Sequence, residues 1–218
     1  GSIIPTSKRS YSSIVVKTTS ENILMDVGPA TLYKLCRSGY QLNELNHILI
    51  THFHIDHVAD YLPLLHSKAF DSKTGKINPK KSLTVYGPPG LLEFTQDLLE
   101  NVKPWNKLAE TFQCSSYLNL CEILSDIFEE NEWIGSSTPV YHADGIAYRI
   151  ESEGKSVTYS GDTEPDENLI KLAKETDLLI HECSFPNEEF LIGRHTTASK
   201  LGKIAAEAGC RKLVLTHL

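Results

Sequence analysis

Thr51-His52-Phe53-His54-Ile55-Asp56-His57 places three imidazoles and a carboxylate within six positions, directly after the apolar run His47-Ile48-Leu49-Ile50. Where a chain leaves a strand, side chains repeat every second residue, so His52 and His54 point the same way. Asp56 and His57 follow where the chain turns into a helix expected over Val58 to Phe70, within reach of a second cation. One short segment therefore offers ligands to two neighbouring metals. The chain has nine histidines in all, so three in six positions is more than a polar surface loop accounts for.

Outward from this segment, short apolar runs alternate with helical patterns. Ser13 to Lys17 and Asn22 to Asp26 read as a hairpin, and Ala30 to Ser38 as a helix. Leu83 to Tyr86 is a strand closed by Gly87-Pro88-Pro89-Gly90. Leu91 to Asn101 has helical spacing at Leu91, Phe94, Leu98 and Leu99. Ala147 to Ile150 and Ser156 to Tyr159 flank the turn Glu153-Gly154. Pro165 to Lys174 reads as a helix, Leu178 to Ile180 as a strand, Thr197 to Ala208 as a helix ended by Gly209, and Leu213 to Leu215 as a last strand. No linker, repeat or low-complexity segment interrupts the pattern, so residues 1–218 are expected to form one α/β domain.

Candidate ligands recur just past these strands: His52 after Ile50, His142 after Tyr141, Asp162 after Tyr159 and His217 after Leu215. Loops at the ends of a rigid sheet are where chemistry concentrates. A lone His142 or His217 would read as a buried, hydrogen-bonded histidine. Beside the 51–57 cluster, both read as ligands.

Composition narrows the class. With 40% hydrophobic and 22% charged residues the chain has an ordinary globular balance. No apolar run approaches the roughly 18 residues of a membrane span, and no signal-peptide pattern opens the chain. Five scattered cysteines without a Cys-x-x-Cys pair point to free thiols in a reducing, cytoplasmic setting. A net charge of −7 argues against a broad nucleic-acid-binding face. It leaves room for a phosphate ester at a metal, where the ions set the local charge.

On these motifs the chain resembles the metallo-β-lactamase superfamily of binuclear hydrolases from Ser12 to His217. The resemblance implies a four-layer αββα sandwich with the site at one edge of the facing sheets. It implies two divalent ions, zinc in first place, with manganese or iron also suited to imidazole and carboxylate donors. His52, His54 and His142 would hold one ion and Asp56, His57 and His217 the other, with Asp162 bridging. Asp26, which closes Ile23-Leu24-Met25, matches an acidic residue of the family and is expected to orient a ligand imidazole. No cysteine stands at a ligand position, unlike the thiolate sites of many antibiotic-hydrolysing members.

Two further segments resemble the tRNase Z branch: Ile180-His181-Glu182-Cys183-Ser184, and Gly193-Arg194-His195-Thr196-Thr197 before a helix. By that resemblance His195 stabilises or protonates the leaving group and Glu182 orients it. With Asp56 they form the expected catalytic set. The alternative reading of His195 is that it merely opens a helix capped by Thr196 or Thr197. His181 is expected to pack rather than ligate. Two departures stand out. Ile55 replaces the glycine usual in that branch, and only 20 positions separate His142 from Asp162, where short-form tRNase Z inserts a long tRNA-gripping arm.

The expected activity is a phosphodiesterase in which hydroxide generated at the metal pair attacks phosphorus. Its substrate would be a phosphodiester small molecule or RNA, with no membrane partner, and the resemblance makes a homodimer plausible. A thioester, lactone or sulfate-ester hydrolase of the same fold is the alternative, which would not require His195 and Glu182. A non-hydrolytic metal or redox protein is a second, against which the sequence shows no flavin domain. The ends imply either a trimmed chain or a compact variant. The lysine-rich loop Ser67 to Ser82 (Lys68, Lys73, Lys76, Lys80, Lys81) reads as a solvated loop that could overhang the site, and Glu129-Glu130-Asn131-Glu132 as exposed surface. His47 and His66 read as structural.

Overall fold

The computed structural model describes residues 4–71, 73–77, 82–103, 105, 107–190 and 193–218. Its first sheet runs β1 (Ile14–Lys17), β2 (Asn22–Met25), β3 (Leu45–Leu49), β4 (Leu83–Gly87) and β5 (Leu118–Glu122), in chain order. β1 pairs antiparallel to β2, and the later neighbours are parallel. The second sheet has the order β11-β10-β9-β8-β7-β6. It comprises β6 (Ile127–Glu129), β7 (Ile134–Pro139), β8 (Ile146–Ser152), β9 (Lys155–Tyr159), β10 (Leu178–Glu182) and β11 (Leu213–Thr216).

Period-two alternation of side chains sets the layering. In β2, Ile23 and Met25 pack against Tyr148, Ile150 and Tyr159 of the second sheet, whereas Leu24 points the other way. In β3, Leu49 faces inward and Ile48 outward. The outward set meets the helices α1 (Thr31–Arg37), α3 (Tyr61–Ala69) and α4 (Leu91–Gln96) through Leu35, Tyr61, Leu64, Leu65 and Leu91. On the other sheet, Ile146 and Tyr148 face inward, while Ala147 and Leu179 meet α6 (Glu167–Leu172) and α7 (Ala198–Ala208) through Leu169, Ile204 and Ala208. The order is helix, sheet, sheet, helix: a four-layer αββα sandwich.

Several expectations shift in detail. The helix expected from Val58 to Phe70 is two helices, α2 (Ile55–Val58) and α3. Pro63 lacks the N–H that would reach Ala59, so it can sit only in the first turn of a new helix. Asp60 uses its N–H on Val27 and a carboxylate oxygen on the Leu32 N–H, which fixes the break. The helix expected from Pro165 starts at Glu167 because Asp166 caps it, accepting from the Asn168 N–H at 2.7 Å. α4 continues through a wider turn at Asp97–Asn101, between helix α4 and the short α5 (Leu108–Thr111). The strand expected to end at Tyr141 is β7, which ends at Pro139. β5 and β6 went unread, β6 because three residues carry no pattern and β5 because its Leu118-Asn119-Leu120 alternation stops at Cys121.

The acidic stretch is not simply exposed. Glu132 accepts from the Thr18 hydroxyl at 2.6 Å and Glu130 from the Tyr86 hydroxyl at 2.5 Å. His47 is buried between Glu21 and Glu130, and His66 packs on the Phe70 and Phe112 rings. In the lysine-rich loop, Lys68 is buried and donates to the Leu45 carbonyl, so it is no part of a solvated patch. Lys80 and Lys81 lie outside the described residues. Among the described residues no helix is long and apolar enough to cross a membrane.

Candidate metal centre

Four strand exits meet at one edge of the sandwich. Residues 51–57 leave β3 in the first sheet, and His142, Asp162 and His217 follow β7, β9 and β11 in the second. The first loop is stitched to the second sheet by the Ile146 N–H, which donates to the Thr51 carbonyl at 2.9 Å. Gly161 before Asp162 has φ +59° and lies so close to Thr51 that a Cβ there would meet Thr51 Cβ at 2.8 Å. His217 holds the left-handed conformation at φ +55°, which turns its ring back toward the cluster.

Donor atoms of His52, His54 and His142 lie within 4.8 Å of one another, as do those of Asp56, His57, Asp162 and His217. Asp162 stands between the groups. Its Oδ2 is 4.0 Å from His52 Nε2, 3.9 Å from His142 Nε2 and 3.2 Å from His217 Nε2, and its Oδ1 is 3.4 Å from His57 Nε2. Asp56 Oδ2 is 3.2 Å from His217 Nε2 and 3.6 Å from His57 Nε2. His54 presents Nδ1, 3.2 Å from His142 Nε2.

The far nitrogens of four rings are committed elsewhere. His57 Nδ1–H donates to Asp26 at 2.6 Å, and His142 Nδ1–H to the Arg194 carbonyl at 2.8 Å. His52 Nδ1–H meets the Thr51 hydroxyl at 3.0 Å, which passes its own proton to Asp26. His217 Nδ1–H meets the Ser184 hydroxyl at 2.8 Å, which donates to Glu182 at 2.7 Å. Every one of these bonds turns the Nε2 lone pair toward the centre, the arrangement that metal-ligating histidines need. Nε2 of His52 and Nε2 of His57 are buried and have no hydrogen-bond partner. Buried polar atoms are rarely left so, and cations among these donors would satisfy both. The residues fit a metal.

Electrostatics run the same way. Burial would raise the Asp162 carboxyl, but the His57 imidazole close beside it, with His217 and His52, holds it far below the ordinary range. Burial and the neighbouring His57 push His52 well down, toward the neutral form a ligand requires. Burial would likewise lower His57, yet Asp26 and Asp162 raise it well above its usual value. Asp26 and Asp162 thus favour positive charge at this spot, which a metal ion would supply.

His195 stands beside the cluster, its ring centroid 4.7 Å from that of His142 and 5.6 Å from that of His217. Its Nδ1–H donates to Glu182 Oε1 at 2.7 Å, and Glu182, fully buried, also accepts from the Thr163 and Ser184 N–H groups. Burial alone would lower the His195 pKa, but the Glu182 hydrogen bond and charge carry it above the ordinary value. Thr197, one of the two residues expected to cap α7, holds the N-cap position, and the His195 ring just before it is turned to Glu182. His181 is buried on β10 with Nδ1 on the Glu182 carbonyl, apart from both donor groups.

All nine expected site residues therefore meet at one edge. Thr51, Ser184, Tyr159, whose hydroxyl donates to Asp26 at 2.8 Å, and the Arg194 carbonyl were not anticipated. Hydroxyls flanking Glu182 and His52 in sequence were the one available signal.

A family model described as a beta-lactamase superfamily domain matches residues 21–218. Among curated relatives, Ribonuclease Z of Methanosarcina mazei is 26% identical over 280 aligned positions, covering 100% of this chain and 85% of that protein. Ribonuclease Z of Saccharolobus islandicus is 28% identical over 252 positions, covering 98% and 84%. Among solved structures, the metallo-beta-lactamase fold protein YhfI from Bacillus subtilis superposes with a TM-score of 0.78 at 25% identity, over 100% of this chain and 82% of that one. The short form of human tRNase Z gives 0.78 at 22% identity over 100% and 89%, a likeness of fold.

Proposed function

Because this chain belongs to the beta-lactamase superfamily, we propose that it is a binuclear metal-dependent hydrolase that cleaves phosphodiesters. The observation that carries this reading is the meeting of seven His and Asp side chains around two orphaned imidazole nitrogens, with the His195–Glu182 pair alongside. Relatives named Ribonuclease Z support the phosphodiester class.

In this reading His52, His54 and His142 would hold one ion and Asp56, His57 and His217 the second, with Asp162 placed to serve either. Zinc suits these donors, and manganese or iron would also be accepted. Cations held there would supply hydroxide at neutral pH by making bound water acidic and would draw electron density from phosphorus. The rest falls to the chain. Asp162 carries negative charge between the two positions and limits their repulsion. Glu182 engages the His195 Nδ1–H and favours the protonated ring, which leaves Nε2–H to be given to the departing oxygen. The bond from that oxygen to phosphorus breaks as the oxygen takes the proton, and no free alkoxide is released.

The whole stretch between His142 and Asp162 is the β8–β9 hairpin with its Glu153-Gly154 turn, so it holds no long arm. The alignment with the Methanosarcina mazei protein spans 280 positions, 62 more than the 218 residues here. Both support small phosphodiesters or short RNA as substrates, handled by residues 1–218 as one domain. The five unpaired cysteines support a reducing, cytoplasmic setting.

Hydrolysis of bis(p-nitrophenyl) phosphate by zinc- and manganese-loaded protein tests the reading. Clear turnover is expected, reduced at least about tenfold in His195→Ala with unchanged metal content. No turnover with both metal positions filled would overturn it and move the search to thioesters and lactones.

A further inference from the structure

Next to the metal ligands lies a cavity of about 390 Å³ lined by Tyr11, Pro29, His54, Ile55, Asp56 and Ala59. This volume is within the range of small-molecule sites, which combine apolar walls with a few orienting polar groups. Tyr11, Pro29, Ile55 and Ala59 form the apolar wall. His54 and Asp56 are the polar side, and each belongs to one of the two donor groups of the candidate centre. A molecule bound at the metals therefore has this cavity as its immediate neighbour.

Ile55 is the telling residue. It stands between two ligands at the first position of α2, and its side chain is 76% exposed. An aliphatic group so placed contributes little to the core, yet a ligand covering it would take it out of water. The wall is also preformed. Gly28 donates to the Ser12 carbonyl at 3.0 Å, Val27 to the His57 carbonyl at 2.7 Å, and Lys34 Nζ to the Tyr11 carbonyl at 3.1 Å. A Cβ on Gly28 would meet the Asp56 carbonyl at 2.0 Å and Tyr11 Cβ at 2.9 Å, so the segments at 11–12, 27–29 and 54–59 are pressed together. Little ordering is left for a ligand to induce.

We infer that this cavity is a subsite for an aromatic group esterified to the phosphate that reacts at the metals. The inference rests on the phosphodiesterase reading and adds the chemistry of one ester substituent. Beyond the two candidate ligands, the Tyr11 hydroxyl is the single side-chain polar group in the lining, so the cavity does not read the hydrogen-bonding edges of a base. Recognition comes from packing against Ile55, Pro29 and the Tyr11 ring, which tolerates any flat group with a π-face. Tyr11 and Ile55 are thus specificity residues, outside both the ligand set and the His195–Glu182 pair.

The test is calorimetric titration of zinc-loaded protein with methylphosphonate and phenylphosphonate, whose C–P bonds resist hydrolysis, and with adenosine 5′-monophosphate. Phenylphosphonate is expected to bind at least about tenfold more tightly than methylphosphonate, in line with aromatic stacking. Tyr11→Ala and Ile55→Ala should each cut that preference about threefold or more, with methylphosphonate affinity and zinc content unchanged. A gain shared by adenosine 5′-monophosphate identifies a nucleobase as the natural occupant, and its absence there identifies an aryl ester. Equal affinity for the two phosphonates, or variants that keep the preference, overturns the subsite alone. Failure of all three probes to bind overturns the phosphodiester reading as well.

Discussion

At Asp26 a fully buried carboxylate sits at φ +57° and accepts from the Thr51 N–H, the Thr51 hydroxyl, His57 Nδ1–H and the Tyr159 hydroxyl. Through these bonds it orients His57 directly and His52 by way of Thr51. Asp26→Asn keeps the size but replaces one acceptor oxygen with a donor that faces other donors. Zinc affinity should fall about 10–100-fold, read by competition with a chromogenic chelator. Unchanged affinity would show that the two imidazoles hold their orientation without Asp26. Ser184 does the same for His217 from the Glu182 side, so Ser184→Ala should weaken zinc binding by a similar factor while Ser184→Thr restores it. The candidate ligands were legible in the sequence because His and Asp just past strand ends have few structural uses. Thr51, Ser184 and the Arg194 carbonyl were not, because their part depends on which neighbour a common polar group faces.

Elements place the site through close backbone approaches. Gly28 follows β2 and lies under the carbonyl of Asp56, where an added Cβ would stand at 2.0 Å. The obstacle is backbone, which cannot swing aside as a side chain can. Gly28→Ala should therefore displace α2 and with it Asp56 and His57, costing about 1–3 kcal/mol, the usual cost of overpacking. Urea denaturation of the metal-free protein measures this, and a midpoint equal to wild type would contradict the tight approach. The strands that carry ligands were readable where apolar runs end at Ile50, Tyr159 and Leu215. β7 was read only by its end, placed at Tyr141 before His142 and found at Pro139, because Gly135-Ser136-Ser137-Thr138-Pro139 has no apolar alternation to mark its length. The long helix read after His57 breaks because the Pro63 N–H is missing, a detail overridden in the sequence by the apolar spacing of Tyr61, Leu64 and Leu65.

At the scale of the molecule, the centre joins the two sheets. His52, His54, Asp56 and His57 come from the first, His142, Asp162 and His217 from the second, and both meet over a core that includes Leu49, Tyr148 and Tyr159. Ions bound there would hold the halves of the sandwich together and stabilise only the folded state. With zinc at about 100 times its Kd, the gain is roughly 2.7 kcal/mol. For a chain of this size that corresponds to a rise in Tm of about 5–10 °C, lost again on adding a chelator. A Tm indifferent to zinc and chelator would leave the seven side chains without a common purpose. The αββα layering was expected only through the resemblance, since the sequence alone supplied an alternation of strands and helices without saying which faces meet.

The most direct measurement is the zinc stoichiometry of purified, fully loaded protein by mass spectrometry of the native chain and elemental analysis. Two ions per chain are expected, falling to one or none in Asp162→Ala, whose carboxylate lies within 4.0 Å of donors in both groups. A single ion in the wild-type chain, unchanged by Asp162→Ala, would contradict a binuclear centre bridged by that residue.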